Sequence, residues 1–71
     1  MMTQTIRAAV NGEVREFPEG TTIAQLLQTL ERPSVGIAVA LNDRVVRRFE
    51  FVSQVLADGD RIEIIKAVAG G

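Results

Sequence analysis

Apolar residues recur along this chain with two different periods. From Thr5 to Val10, Ile6, Ala8 and Val10 fall on one side at a period of two, the pattern of a half-buried strand. Asn11-Gly12 follows, and a returning strand is predicted over Glu13 to Phe17. Asn-Gly between two such runs is the strongest short hairpin signal, because both central residues of a type I′ turn need positive φ. Pro18-Glu19-Gly20 then ends the sheet pattern. The period changes at Thr22. Ile23, Leu26, Leu27 and Leu30 stand at i, i+3, i+4 and i+7, the apolar stripe of an amphipathic helix, and this stripe is read as core. Thr22 and Gln25 have the spacing of a capping box. Pro33 is expected to stop the helix at Glu31 or Arg32, since the residue before a proline resists the α region.

The second half reads as short strands. Gly36 to Leu41 is an apolar run bounded by turn residues, and Asn42-Asp43 turns it into Arg44-Val45-Val46-Arg47. Being apolar on both faces, the first of these strands is expected in a central or partly covered position. Phe49, Phe51, Val52, Val55 and Leu56 suggest a loop with a helical turn pinned to the core. Asp58-Gly59-Asp60 is a turn, and Arg61 to Lys66 is the final strand. A hairpin, a helix and three further strands imply an α+β domain, with the helix stripe packed across one face of a mixed sheet. The last strand fits best beside the first, in parallel, at the middle of the sheet. That arrangement is the ubiquitin-like β-grasp. One domain over residues 1–66 and a short tail over 67–71 are expected, with nothing to order the tail on its own.

Composition narrows the chemistry. The chain of 71 residues contains no cysteine and no histidine, which excludes disulfides, thiolate chemistry and the commonest metal ligand and neutral-pH base. A net charge of −1 argues against nucleic acid or membrane as a partner. Arg44, Arg47 and Arg48 form one local cluster, read as a solvated face or as a docking patch for an acidic partner. No apolar run reaches membrane-spanning length, and Met1-Met2-Thr3-Gln4 lacks the marks of a signal peptide, so a cytoplasmic location is expected. Asp58 and Asp60 read as turn residues, not metal ligands. Neither a catalytic constellation nor a glycine-rich phosphate loop is present, so a self-sufficient enzyme is not expected and no bound cofactor is implied.

Gly70-Gly71, following the last strand after Ala67-Val68-Ala69, is not explained by folding, and reads either as a bland flexible end or as a functional terminus. A glycine carboxylate carries no Cβ beside it and can enter a narrow tunnel. Anionic at neutral pH, it can attack an activated phosphate. The five residues Ala67 to Gly71 span at most about 17 Å when extended, enough to reach into a partner's active site.

Over nearly its whole length the chain resembles the ThiS family, the sulfur carriers of thiamine biosynthesis. The resemblance rests on Val10-Asn11-Gly12-Glu13, Thr22 to Leu27 and Gly36 to Asn42. Its most specific part is Asp58 to Ile65, followed by Ala67-Val68-Ala69-Gly70-Gly71. It departs where many members carry a proline after the Val-Val pair, here Arg47, and a tryptophan near Phe51. The family implies a protein co-substrate. A ubiquitin-activating-type adenylyltransferase (ThiF-like) would use ATP to adenylate the Gly71 carboxylate, and a sulfur donor protein would convert it to a thiocarboxylate. Thiazole synthase (ThiG-like) would accept the sulfur, with Gly70, Ala69 and Val68 threaded through the partner's channel. Ala38, Ala40 and Ile65, on the face away from the helix if Ile37, Val39, Leu41, Ile62 and Ile64 face it, form a possible docking patch or plain sheet filler. Rival readings are a molybdopterin synthase small subunit, a lysine-conjugating ubiquitin-like modifier and a non-covalent β-grasp interaction module. Lys66-Ala67-Val68 stands where the molybdopterin chains often carry prolines, which favours thiamine.

Overall fold

The computed structural model describes residues 4–33 and 35–66. Strands β1 (Thr5–Val10), β2 (Glu13–Pro18), β3 (Ile37–Leu41), β4 (Arg44–Val46) and β5 (Arg61–Lys66) form one sheet in the order β2-β1-β5-β3-β4. A single α-helix, α1 (Ile23–Thr29), and a 3₁₀ turn, η1 (Arg48–Glu50), complete the elements. β5 lies in the middle, parallel to β1 and antiparallel to β3. This is the β-grasp topology expected from the sequence.

Both predicted tight turns are present. Asn11 and Gly12 adopt φ of +51° and +84°, and Asn42 and Asp43 adopt +51° and +69°, the backbone twist that a two-residue hairpin requires. Each turn asparagine also reaches across to β5. The Asn11 Oδ1 accepts from the Ile64 N–H at 2.8 Å, and its Nδ2 donates to the Ile64 carbonyl at 3.3 Å. Asn11 thus extends the parallel ladder by one side-chain rung, beyond the last backbone pair Val10–Ile62. On the other side, Asn42 Oδ1 accepts from the Arg61 N–H at 2.8 Å.

The helix start follows its sequence signature. The Thr22 hydroxyl accepts from the Gln25 N–H and the Gln25 side chain accepts from the Thr22 N–H, closing the capping box. The remaining first-turn donors, Ile23 and Ala24, reach the carbonyls of Gln54 and Phe51. The segment after β4 therefore caps the helix as well as covering it.

The helix ends earlier than Pro33 would dictate. Thr29 is its last residue and Leu30 its C-cap, and Glu31 turns left-handed with φ +56°. Arg32 N–H donates to the Leu27 carbonyl and Glu31 N–H to the Gln28 carbonyl, the two bonds of a Schellman motif. A glutamate occupies the position where glycine is favoured. Glu31→Gly is therefore expected to stabilise the domain by about 1 kcal/mol, read as a rise in melting temperature of about 7 °C.

The core lies between α1 and the inner sheet face. Ile23, Leu26, Val39 and Ile62 are its most enclosed side chains, joined by Ile6, Ala8, Val10, Phe17, Leu27 and Ile64. Ile37, Leu41 and Leu30 pack against it from its margins. The segment after β4 behaves only in part as its composition suggests. Phe51 and Leu56 are core residues, but Phe49, Val52 and Val55 are 76%, 74% and 49% exposed. A single irregular strip over the edge of the core has one inner side, and the 3₁₀ turn gives that side to Phe51.

Candidate functional site

β5 carries the route to the candidate site. It is gripped along its length: by β3 from Leu41–Ile62 through Ile37–Lys66, and by β1 and Asn11 on the opposite edge up to Ile64. The Asp58-Gly59-Asp60 turn fixes where the strand begins. Asp58 Oδ1 accepts from the Arg7 N–H at 2.8 Å, and Gly59 N–H donates to the Arg7 carbonyl at 2.7 Å. Asp60 accepts from the Ala57 N–H through Oδ2 and from Asn42 Nδ2 through Oδ1. Both carboxylates are thus engaged in turn hydrogen bonds. Among the described residues no group of three potential acidic, histidine or cysteine ligands could hold a metal ion. Val68, Ala69, Gly70 and Gly71, the predicted working residues, lie outside the described residues.

The sheet face turned away from α1 is open. Ala38 is opposite Ile65 across the β3–β5 pair, and both are exposed, Ile65 to 58%. Ala40 is half-buried on the same face. The three residues of the predicted docking patch therefore share one outer surface, next to the end of β5. Val45, 76% exposed, completes it by pairing with Ala40. Sequence reasoning missed Val45, although a two-residue Asn42-Asp43 turn fixes that pairing. The patch is not uniformly apolar, because Glu63 stands opposite Ala40 on β5.

Charge is distributed unevenly. Arg7, Arg15 and Arg61 each pair with a carboxylate, of Glu16, Glu13 and Asp43 respectively. Arg32, Arg44, Arg47 and Arg48 make no ion pair among the described residues. The predicted cluster borders two hollows: Arg44 and Arg47 line one beside β4, while Arg48 lines a groove against α1.

A mixed sheet with a parallel β1–β5 pair at its centre and one capped helix on its inner face define a ubiquitin-like β-grasp protein, with a Gly-Gly sequence following its central strand. Its sequence is more specific than its topology. Residues 4–71 match the ThiS family through the Gly-Gly pair, and the chain belongs to that family. It is 31% identical to the sulfur carrier protein ThiS of Escherichia coli, over 86% of this chain and 92% of that protein. The crystal structure of the thiamine biosynthesis protein ThiS from Geobacter metallireducens superposes with a TM-score of 0.81 at 28% identity, covering 93% of this chain and 100% of that one. The thiazole synthase of Paramagnetospirillum magneticum contains a similar stretch, 32% identical over 93% of this chain but only 20% of that protein.

Proposed function

We propose that the chain carries sulfur for thiazole formation in thiamine biosynthesis, as a thiocarboxylate on Gly71. Family membership over residues 4–71, including Gly70-Gly71, is the observation that carries this reading. A free carboxylate is a poor electrophile, so activation comes first. The Gly71 carboxylate attacks the α-phosphorus of ATP on a ubiquitin-activating-type adenylyltransferase, and pyrophosphate leaves. Hydrosulfide released by a sulfur donor then attacks the carbonyl carbon of the acyl adenylate, the C–O bond to AMP breaks and AMP leaves, and the S–H proton is lost to solvent. The resulting thiocarboxylate is presented to thiazole synthase. A carrier-like stretch within a thiazole synthase chain supports that partnership, because fused domains of one chain commonly act on one another's products. A chain without cysteine or histidine suits a passive role in which the partners supply the chemistry.

The test is intact mass spectrometry after incubation with ATP, the adenylyltransferase and a sulfur source. Replacement of one terminal oxygen by sulfur is expected. An unchanged mass, with the adenylyltransferase shown to be competent, overturns the reading.

The open-face patch of Ala38, Ala40, Ile65 and Val45 fits a surface that seats the globular part while the tail enters the active site. It lies beside the end of β5, where a partner must approach. Ile65 is largely exposed, so Ile65→Asp leaves the fold intact. The expected result is an affinity for the adenylyltransferase lower by about tenfold, as for loss of one apolar interface anchor. Full affinity with normal folding would remove the patch from the site.

A further inference from the structure

The face opposite the open sheet has a surface of its own. Between α1 and η1 runs a groove of about 350 Å³. Ala24, Leu27, Phe51 and Val52 form its floor, and Arg32 and Arg48 stand at it from two separate elements. Val52 is 74% exposed although it is aliphatic and adjoins the core residue Phe51. No acidic side chain lines the groove. Both arginines lack an ion pair among the described residues, whereas the arginines at the β1–β2 hairpin and on β5 are paired.

An apolar floor between two uncompensated guanidiniums is complementary to an apolar side chain flanked by carboxylates. Guanidinium binds carboxylate through charge-assisted, often bidentate hydrogen bonds. Displacing water from Val52 and the edges of Leu27 and Phe51 adds an apolar contribution. A nucleic-acid backbone would satisfy the arginines but leave the floor unused.

We propose that this groove docks an acidic segment of a partner protein, with one apolar side chain on the floor and carboxylates on Arg32 and Arg48. The groove is on the helical layer and the Ala38–Ile65 surface is on the opposite face of the sheet. A partner held here leaves both the open face and the end of β5 accessible to a second protein. The inference does not rest on the sulfur-carrier reading and stands or falls separately from it.

The probe is a capped pentapeptide of one leucine between pairs of glutamates, titrated into the isotope-labelled full chain and followed by amide chemical shifts. Saturable shifts are expected at Ala24, Leu27, Arg32, Arg48 and Val52. Arg32→Glu/Arg48→Glu is expected to weaken binding by roughly tenfold or more. Arg44→Glu/Arg47→Glu, which changes net charge equally but outside the groove, should stay within about threefold. Val52→Ser, or serine in place of the peptide's leucine, should also weaken it. All these positions are exposed, so the variants are expected to fold, and their unperturbed spectra away from the groove verify it.

Absence of saturable shifts in the groove at roughly 5 mM peptide overturns the proposal. So does equal weakening by the two double variants, which would reduce the effect to net charge. Indifference to the leucine also overturns it, since charge alone would then bind, as a phosphate backbone does.

Discussion

Removing Gly70 and Gly71 is expected to abolish thiocarboxylate formation completely while leaving the melting temperature within about 1 °C of the intact chain. The two halves of this result have separate causes. The reacting carboxylate would move to Ala69, whose Cβ obstructs a channel shaped for glycine, and the reach beyond β5 would fall from five residues to three. At about 3.3–3.6 Å per residue, the lost length is roughly 7 Å. Adenylation needs the attacking oxygen in line with the α-phosphorus, and a displacement of even 1 Å can cost about a hundredfold in rate. Stability should be unaffected, because the described core and every strand pair are complete by Lys66. The measurement pairs intact-mass detection of the sulfur exchange with a thermal melt. A truncated chain that still gained sulfur would place the acceptor elsewhere. A truncated chain that behaved identically in every partner assay would point to a non-covalent interaction module.

The features legible in the sequence are those decided by residues close together in the chain. Asn11-Gly12 specified its hairpin because few other residue pairs adopt two successive positive φ values. Thr22 and Gln25 specified the helix start because each satisfies the other's backbone N–H. The central place of β5 followed from strand count and topology, and its register confirms it. The helix end did not follow, because Glu31 adopts a conformation that glutamate does not advertise. What drives it there is the pair of bonds to Leu27 and Gln28 that closes the Schellman motif. The outward turn of Phe49 and Val52 was equally hidden, since which side of a 3₁₀ turn faces in depends on what α1 presents to it.

The candidate surfaces divide in the same way. Ala38, Ala40 and Ile65 could be assigned to one face from strand alternation alone, and the structure places them there. The rung formed by Asn11 on Ile64 joins residues 53 positions apart, and no local pattern announces it. The α1–η1 groove is lined by both Arg32 and Arg48, which the docking of two separate segments brings to one hollow, and the local arginine cluster in the sequence does not announce that pairing. The role proposed for the Gly-Gly end rests on family resemblance, since folding physics leaves that end without a task.

Ile62→Ala is the converse of the tail deletion, since it leaves the chemistry in place and removes the handle. Ile62 is 1% exposed at the centre of the sheet, paired with Val10 on one side and Leu41 on the other. Truncating a buried isoleucine costs about 3 kcal/mol once the residual cavity is included. A domain this small buries only roughly 60% of its unfolded surface, so its total stability lies towards the low end of about 5–15 kcal/mol. The melting temperature is expected to fall by about 20 °C. Gly71 and the chain leading to it are chemically unchanged in this variant, yet an unfolded chain would offer no assembled sheet face to the proposed adenylyltransferase. Thiocarboxylate yield should therefore track the folded fraction, falling on heating and recovering when an osmolyte such as trimethylamine oxide restores the fold. The deletion of Gly70 and Gly71 should show neither response. A yield that stays constant while circular dichroism reports unfolding would mean that the adenylyltransferase reads the tail as a bare peptide, and the β-grasp would then be dispensable for activation.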